Sequence, residues 1–274
     1  MRYGLSVANF GSYADPRLVV RLARAAEAAG WEALLLWDHL SFVWGPPSAD
    51  PWVTLGAVGG ATDRLLLGTG VTPLPRRRPQ VLAGEVLTLD VLTGGRAILG
   101  VGSGGIEREL TAFGEPGDAR IRGEQLDEGV DLIRRLLAGE RVEHRGAHYT
   151  VDGVQLTKEP REIPIWVGGR SAAARRRAGR FECWLADSLN RDGMTMSAAE
   201  LAAIAPAGVE VALLGVSEPD DAELRAAYEA AGATWWLESV YDRRGPPEAM
   251  LARVEAGPQG SGSSAGGSSS ASRR

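Results

Sequence analysis

Leu65-Leu-Leu-Gly-Thr-Gly-Val-Thr-Pro73 and Ala97-Ile-Leu-Gly-Val-Gly-Ser-Gly-Gly105 each run an apolar strand into a glycine-rich bend. Between them, Gln80 to Leu92 has helical character. Strand, helix, strand at this spacing is a parallel βαβ unit, because parallel neighbours need a long crossover. Both strands end in residues without side-chain bulk, so a ligand can press against backbone there. The two bends therefore predict a pocket at the carboxyl ends of parallel strands.

The same alternation extends in both directions. A first strand covers Tyr3 to Ala8, and Asp15-Pro16 caps a helix that stops at Gly30. Strand two, Ala33-Leu-Leu-Leu-Trp37, is apolar throughout, as a strand covered on both faces must be. Asp50-Pro51 opens the next helix. Beyond the second bend come a loop, a helix from Gly123 to Leu137, and an irregular stretch from Arg141 to Lys158 that reads as a hairpin, with turn signals at Gly146 and Asp152-Gly153. Strands at Ile163–Val167, Cys183–Ala186, Val209–Gly215 and Thr234–Glu238 follow, each with its helix. Eight strand–helix units with a small β-hairpin inserted after the fourth helix predict an α/β fold, a (β/α)8 TIM barrel spanning residues 1–256. A doubly wound open sheet is the alternative. Residues 257–274 are mostly Gly and Ser and have nothing that can bury apolar area, so a disordered tail is expected there.

Composition removes several function classes. The net charge of −5 gives no support for nucleic-acid binding. No uninterrupted apolar run reaches the ~20 residues of a membrane span, so a cytoplasmic protein is expected. Cys183 is the single cysteine, which excludes an internal disulfide and a multi-cysteine metal site; its apolar surroundings suit a buried structural thiol. Of 30 basic residues only Lys158 is lysine, and it stands in a polar segment, against Schiff-base chemistry. His144 and His148 lie four apart in the hairpin with no third ligand nearby, so no metal is expected.

In a barrel, residues just after each strand converge on one face and form the active site. That rule selects Asn9 and Phe10, Asp38 and His39, Thr69 to Pro73, Gly102 to Gly105, Gly168 to Ser171, Asp187 and Ser188, and Glu238 and Ser239. Only His39 among them titrates near neutrality without perturbation, and Asp38 beside it suggests a catalytic pair, the alternative being a packed histidine. Gly168-Gly-Arg-Ser171 before a helix suits a phosphate, through backbone N–H groups, Arg170 and the Ser171 hydroxyl; an ordinary capped turn reads the same way. Arg76-Arg-Arg78 follows the strand-three bend closely enough to attract an anionic group.

Taken in order, Gly30-Trp-Glu-Ala-Leu-Leu-Leu-Trp-Asp-His39, Asp50-Pro-Trp52, Leu67-Gly-Thr-Gly-Val-Thr-Pro-Leu-Pro75, Leu92-Thr-Gly-Gly-Arg-Ala-Ile-Leu-Gly-Val-Gly102, Glu109-Leu-Thr-Ala-Phe-Gly114, Gly146-Ala-His-Tyr149 and Pro164-Ile-Trp-Val-Gly-Gly169 resemble the bacterial luciferase-like superfamily of flavin- and deazaflavin-dependent oxidoreductases. The resemblance implies a barrel that holds reduced FMN or coenzyme F-420 at the strand ends. It implies Asp38 and His39 near the reactive edge of the ring, His39 handling a proton and Asp38 orienting it. Gly70 and Val71 would back the ring, where many members have a cis non-proline peptide, and Thr72 beside them would also belong to the cofactor site. Gly102, Ser103 and Gly104, with Gly168, Gly169, Arg170 and Ser171, would hold the ribityl chain and phosphate.

Two departures narrow the expectation. Deazaflavin-dependent sugar-phosphate dehydrogenases have a glutamate directly after the glycine run, where this chain has Gly105, which argues against sugar-phosphate oxidation. The long substrate-covering insertion of bacterial luciferase is absent. Hydride transfer between coenzyme F-420 and a small organic substrate is thus expected, with Arg76 to Arg78 suiting the acidic tail of that coenzyme. The alternatives are a monooxygenase that takes reduced FMN from a partner flavin reductase, and a barrel that binds flavin without turnover. Family members commonly pair through barrel helices, so a homodimer is expected.

Overall fold

In the computed structural model, which describes residues 1–186, 189–190, 193–194 and 196–258, strand and helix alternate from the first residues. The order is β1 (Arg2–Val7), α1 (Pro16–Ala28), β2 (Ala33–Leu36), α2 (Pro51–Gly59), β3 (Leu66–Thr69), the two-residue β4 (Thr72–Pro73), α3 (Pro79–Thr93) and β5 (Ala97–Gly102). Next come the one-turn α4 (Arg108–Thr111), α5 (Ala119–Leu137) and the antiparallel hairpin of β6 (Val142–Arg145) and β7 (Thr150–Val154). The chain continues through β8 (Ile165–Gly168), α6 (Ala172–Ala178), β9 (Cys183–Ala186), the short pair β10 (Leu189–Asn190) and β11 (Gly193–Met194), and α7 (Ala198–Ile204). It ends with β12 (Glu210–Gly215), α8 (Ala222–Ala230), β13 (Trp235–Val240) and α9 (Pro247–Glu255).

Eight parallel strands close on themselves. β3, β2, β1, β13, β12, β9, β8 and β5 are neighbours in that order, and β3 pairs with β5 to complete the ring. The doubly wound alternative has open edges and is excluded by that pairing. Successive strand residues face opposite ways, which divides the core in two. Leu35, Ile98, Trp166, Leu185, Leu214 and Leu237 pack together inside the barrel. Leu34, Leu36, Leu99, Val167, Leu213 and Trp236 pack outward against the helices.

Helix starts follow local chemistry. Asp15 accepts from the Arg17 amide with Pro16 at the first turn, and Asp50 accepts from Val53 with Pro51 in the same place. Asp118 caps α5, so that helix begins at Ala119, four residues ahead of Gly123. α4 lies in a stretch read from sequence as loop. The hairpin turn uses Gly146, whereas Gly153 falls inside β7 with a positive φ of 64°. His144 and His148 face Glu128 and Glu124 of α5 at 2.8 and 3.5 Å instead of converging on one point. Of the stretch 257–274 expected to be disordered, residues from 259 on lie outside the described residues, as do Asp187 and Ser188. No helix among the described residues is long and apolar enough to cross a membrane.

Candidate active site

At the carboxyl ends of the strands lies a cavity of about 340 Å³. Its floor is backbone: Gly70 and Val71 after β3, Gly102, Ser103 and Gly104 at the end of β5, and Gly168 and Gly169 at the end of β8. The Gly70–Val71 peptide is cis. The Val71 side chain lies over two of the glycines: a Cβ on Gly102 would come within 2.7 Å of Val71 Cγ2, and one on Gly168 within 2.9 Å of Cγ1. Three separate strand ends therefore meet in one low surface that any larger residue would break. Trp37, Leu185 and Leu214 add apolar wall, and Asp38 and His39 close one side. A low, backbone-lined floor with an apolar margin fits a planar tricyclic ring pressed against it.

Thr72, Arg170 and Ser171, expected among the cofactor-binding residues, are not on the cavity wall. Thr72 is buried; its Oγ1 accepts from Trp52 Nε1 and donates to Thr69 Oγ1, both at 3.1 Å, tying α2 and the β3 end together. Ser171 caps α6 by accepting from the Ala174 amide, and Arg170 is exposed beside it. Glu238, another strand-end candidate, is buried elsewhere: it accepts from Ser217 Oγ (2.6 Å), Trp236 Nε1 (2.9 Å), Arg253 and Arg244, and so anchors α9 to the barrel.

His39 is fixed at both its backbone and its ring. Asn9, buried at the end of β1, donates to the His39 carbonyl (2.9 Å) and accepts from its amide (3.0 Å). The ring Nδ1 meets both oxygens of Glu109, at 3.1 and 3.2 Å. Trp44 stands edge-on to the imidazole at 5.0 Å between centroids, and Trp37 and Phe10 at 6.1 Å. With Nδ1 engaged, Nε2 is the nitrogen the ring offers to a ligand.

Glu109, rather than Asp38, is the carboxylate that meets the His39 ring. The Asp38 carboxylate is held by Arg76 Nη2 (2.5 Å) and Arg77 Nε (3.1 Å), not by the imidazole. Adjacent residues of extended chain project to opposite sides, so neighbours in sequence make poor partners. Arg76 also donates to Glu109 (3.0 Å), and Arg77 reaches Asp50 and Glu85. Both guanidiniums are thus matched by carboxylates, and only Arg78 of that triplet is exposed. Burial alone would raise the Glu109 carboxyl. The hydrogen bond and charge of His39, with Arg76 and the Leu40 amide, outweigh it and hold the group below the usual carboxylate range. Its motif, Glu109-Leu-Thr-Ala-Phe-Gly114, is visible in the sequence, but nothing local links it to a histidine in the loop after β2.

A second cavity, about 470 Å³, shares Asp38 and His39 with the first and includes Leu40, Pro51 and Phe113. His39 therefore forms a wall common to both spaces.

Comparison with known proteins gives the family and the fold. The sequence pattern of the luciferase-like monooxygenases matches residues 1–244. An F-420-dependent glucose-6-phosphate dehydrogenase of Microbacterium testaceum is 37% identical over 186 residues, 65% of this chain and 53% of that protein. An F-420-dependent hydroxymycolic acid dehydrogenase of Mycobacterium tuberculosis is 34% identical over 215 residues, 76% of this chain and 59% of that one. The chain thus spans little more than half the length of these curated relatives. Among solved structures, an F-420-dependent secondary alcohol dehydrogenase with an F-420–acetone adduct superposes with a TM-score of 0.75 at 18% identity, covering 87% of this chain and 93% of that one. At that identity the likeness speaks for the fold.

Proposed function

This chain belongs to the luciferase-like monooxygenase family, and we propose that it is an oxidoreductase moving a hydride between coenzyme F-420 and a small organic substrate. The observation that carries the reading is His39, standing between two cavities with Nδ1 held by a buried carboxylate. The relatives named for coenzyme F-420 support the same choice. When bound, the deazaflavin supplies a two-electron hydride acceptor or donor.

Gly70, Val71, Gly102 to Gly104, Gly168 and Gly169 would seat the ring, with Arg170 and Ser171 toward the phosphate. Leu185 and Leu214 exclude water from that margin. His39 Nε2 takes the proton that leaves a substrate hydroxyl, and Glu109 holds the imidazole in that tautomer and offsets the imidazolium charge. Asp38 keeps Arg76 and Arg77 in place. Since those arginines are already matched by carboxylates, the acidic tail of the coenzyme would meet Arg78 instead. Residues 1–256 would act as one barrel unit, cytoplasmic and paired as a homodimer.

Titration with oxidised F-420, reduced FMN and oxidised FMN tests the reading. Micromolar binding of F-420, with its absorbance bleached on adding an alcohol, is the expected result. Tighter binding of reduced FMN, with oxygen consumed in proportion to product, would replace it by monooxygenation fed by a partner flavin reductase. Binding without turnover on a broad panel would leave a non-catalytic flavin barrel.

A further inference from the structure

The second cavity has a character of its own. Leu40, Ala49, Pro51 and Phe113 give it an apolar side. Phe113 is 65% exposed and Phe42 41%, and the two rings meet edge to face at 5.8 Å. Trp44, 48% exposed, stands edge-on to His39, which lines the same cavity. Aromatic faces left open at the mouth of a cavity are what an apolar ligand covers.

Its charges are acidic in excess. Asp38, Asp50 and Glu115 line it against Arg76 and Arg77, and Glu85 and Glu109 pair with those same arginines from behind. Burial pushes the Glu85 carboxyl above its ordinary range, and Asp50 and Asp38 add to the rise against the pull of Arg77. A phosphate dianion needs cations or several amide donors aimed at it. Here both guanidiniums face carboxylates at 2.5 to 3.4 Å, and a phosphate would have to displace them.

Taking the first cavity as the seat of the coenzyme ring, we infer that the second is the substrate chamber, that it takes an uncharged alcohol with an apolar chain or the matching carbonyl compound, and that it rejects phosphorylated sugars. In the oxidising direction the carbinol C–H bond would break, and its electron pair would leave as the hydride that bound oxidised deazaflavin accepts. The C=O double bond forms as the hydroxyl proton passes to His39 Nε2. Aromatic and aliphatic walls take the chain, and the acidic surround excludes anions by repulsion rather than by shape.

Calorimetric titration of the full chain, with and without F-420, using 2-butanone, 2-hexanone, 2-octanone and glucose 6-phosphate, tests this. Binding should tighten about fourfold per added methylene, the worth of one buried CH2. Phe113→Ser should flatten that dependence; the side chain is exposed, so the fold does not need it. Glu115→Lys should raise affinity for glucose 6-phosphate about tenfold, by reversing one charge in the chamber. A series independent of chain length, or glucose 6-phosphate binding as tightly as 2-octanone to the unaltered chain, overturns the inference. If the ketone series holds while the matching 2-alkanols never reduce F-420, the chamber stands and hydride transfer falls. If F-420 is reduced while the series is flat, hydride transfer stands and the apolar chamber falls.

Discussion

Glu109 meets His39 across 70 residues of sequence, both carboxylate oxygens lying within 3.2 Å of the imidazole Nδ1. The carboxylate is itself fixed, accepting from the Leu40 amide at 3.1 Å and from Arg76 at 3.0 Å, with its side chain 2% exposed. A buried carboxylate held from three directions sets both the rotation of the ring and the position of its proton.

Replacing Glu109 by Gln keeps the shape and removes the charge. If Glu109 acts through His39, kcat should fall by about 10²-fold, a loss within the range of positioned proton transfer, while KM and coenzyme affinity stay nearly constant. In a His39→Ala background the same change should cost nothing further, because the partner is gone. Steady-state kinetics of the two single variants and the double variant check this. Additive losses would give Glu109 a structural role only.

Two glycines two residues apart on β5 should respond differently to a methyl group. A Cβ on Gly100 would sit 1.7 Å from the Thr69 carbonyl oxygen, backbone that cannot yield. Gly100→Ala should therefore lose about 3 kcal/mol or more, or fail to fold. At Gly102 the obstacle is Val71 Cγ2 at 2.7 Å, the end of a side chain. Gly102→Ala should fold with a loss of about 1–2 kcal/mol, and by tilting Val71 should weaken coenzyme binding about tenfold. Thermal melts with and without F-420 separate the two effects.

The parts of the fold that were legible in sequence are those governed by neighbours in sequence. Asp15-Pro16, Asp50-Pro51 and Ser171 announce their helices, and the glycine runs after β3 and β5 mark the ends of strands. Gly153 misled because a positive φ serves a strand irregularity as well as a turn. The site was legible in its backbone and less so in its side chains. Which carboxylate meets His39 depends on where a four-residue helix packs, and no local pattern encodes that. For the same reason Arg76 and Arg77 read as available cations, although Asp38, Asp50, Glu85 and Glu109 reach them from four separate segments.

Cys183 should be inert in the native chain. It is fully buried inside the barrel, and burial, with Glu210 and Glu182 adding to it, pushes the thiol well above its ordinary range. An aromatic disulfide reagent should modify no thiol at pH 8 until denaturant unfolds the chain, and then one per molecule. Rapid labelling of native protein would mean that the barrel interior opens.

Glu27 gives the acid dependence of stability. From the last turn of α1 its carboxylate accepts from the amides of Asp63 (3.0 Å), Arg64 (2.6 Å) and Leu65 (3.1 Å), which holds the entry to β3. Burial alone would raise this carboxyl, but the three amides and the Arg64 charge outweigh it and lower it from 4.5. A folded-state value below the unfolded one means that the stabilisation is present above the unfolded value and is lost as pH falls through the folded value. Glu27→Gln should therefore cost about 1 kcal/mol at pH 7, the low end for charge-assisted hydrogen bonds because water screens part of the site. The gap between the variant and the unaltered chain should close below about pH 4 as the carboxylate is protonated. Urea unfolding at pH 7, 5 and 3 reads it directly, and a gap that stays as wide at pH 3 as at pH 7 would show that the Glu27 charge holds nothing in place.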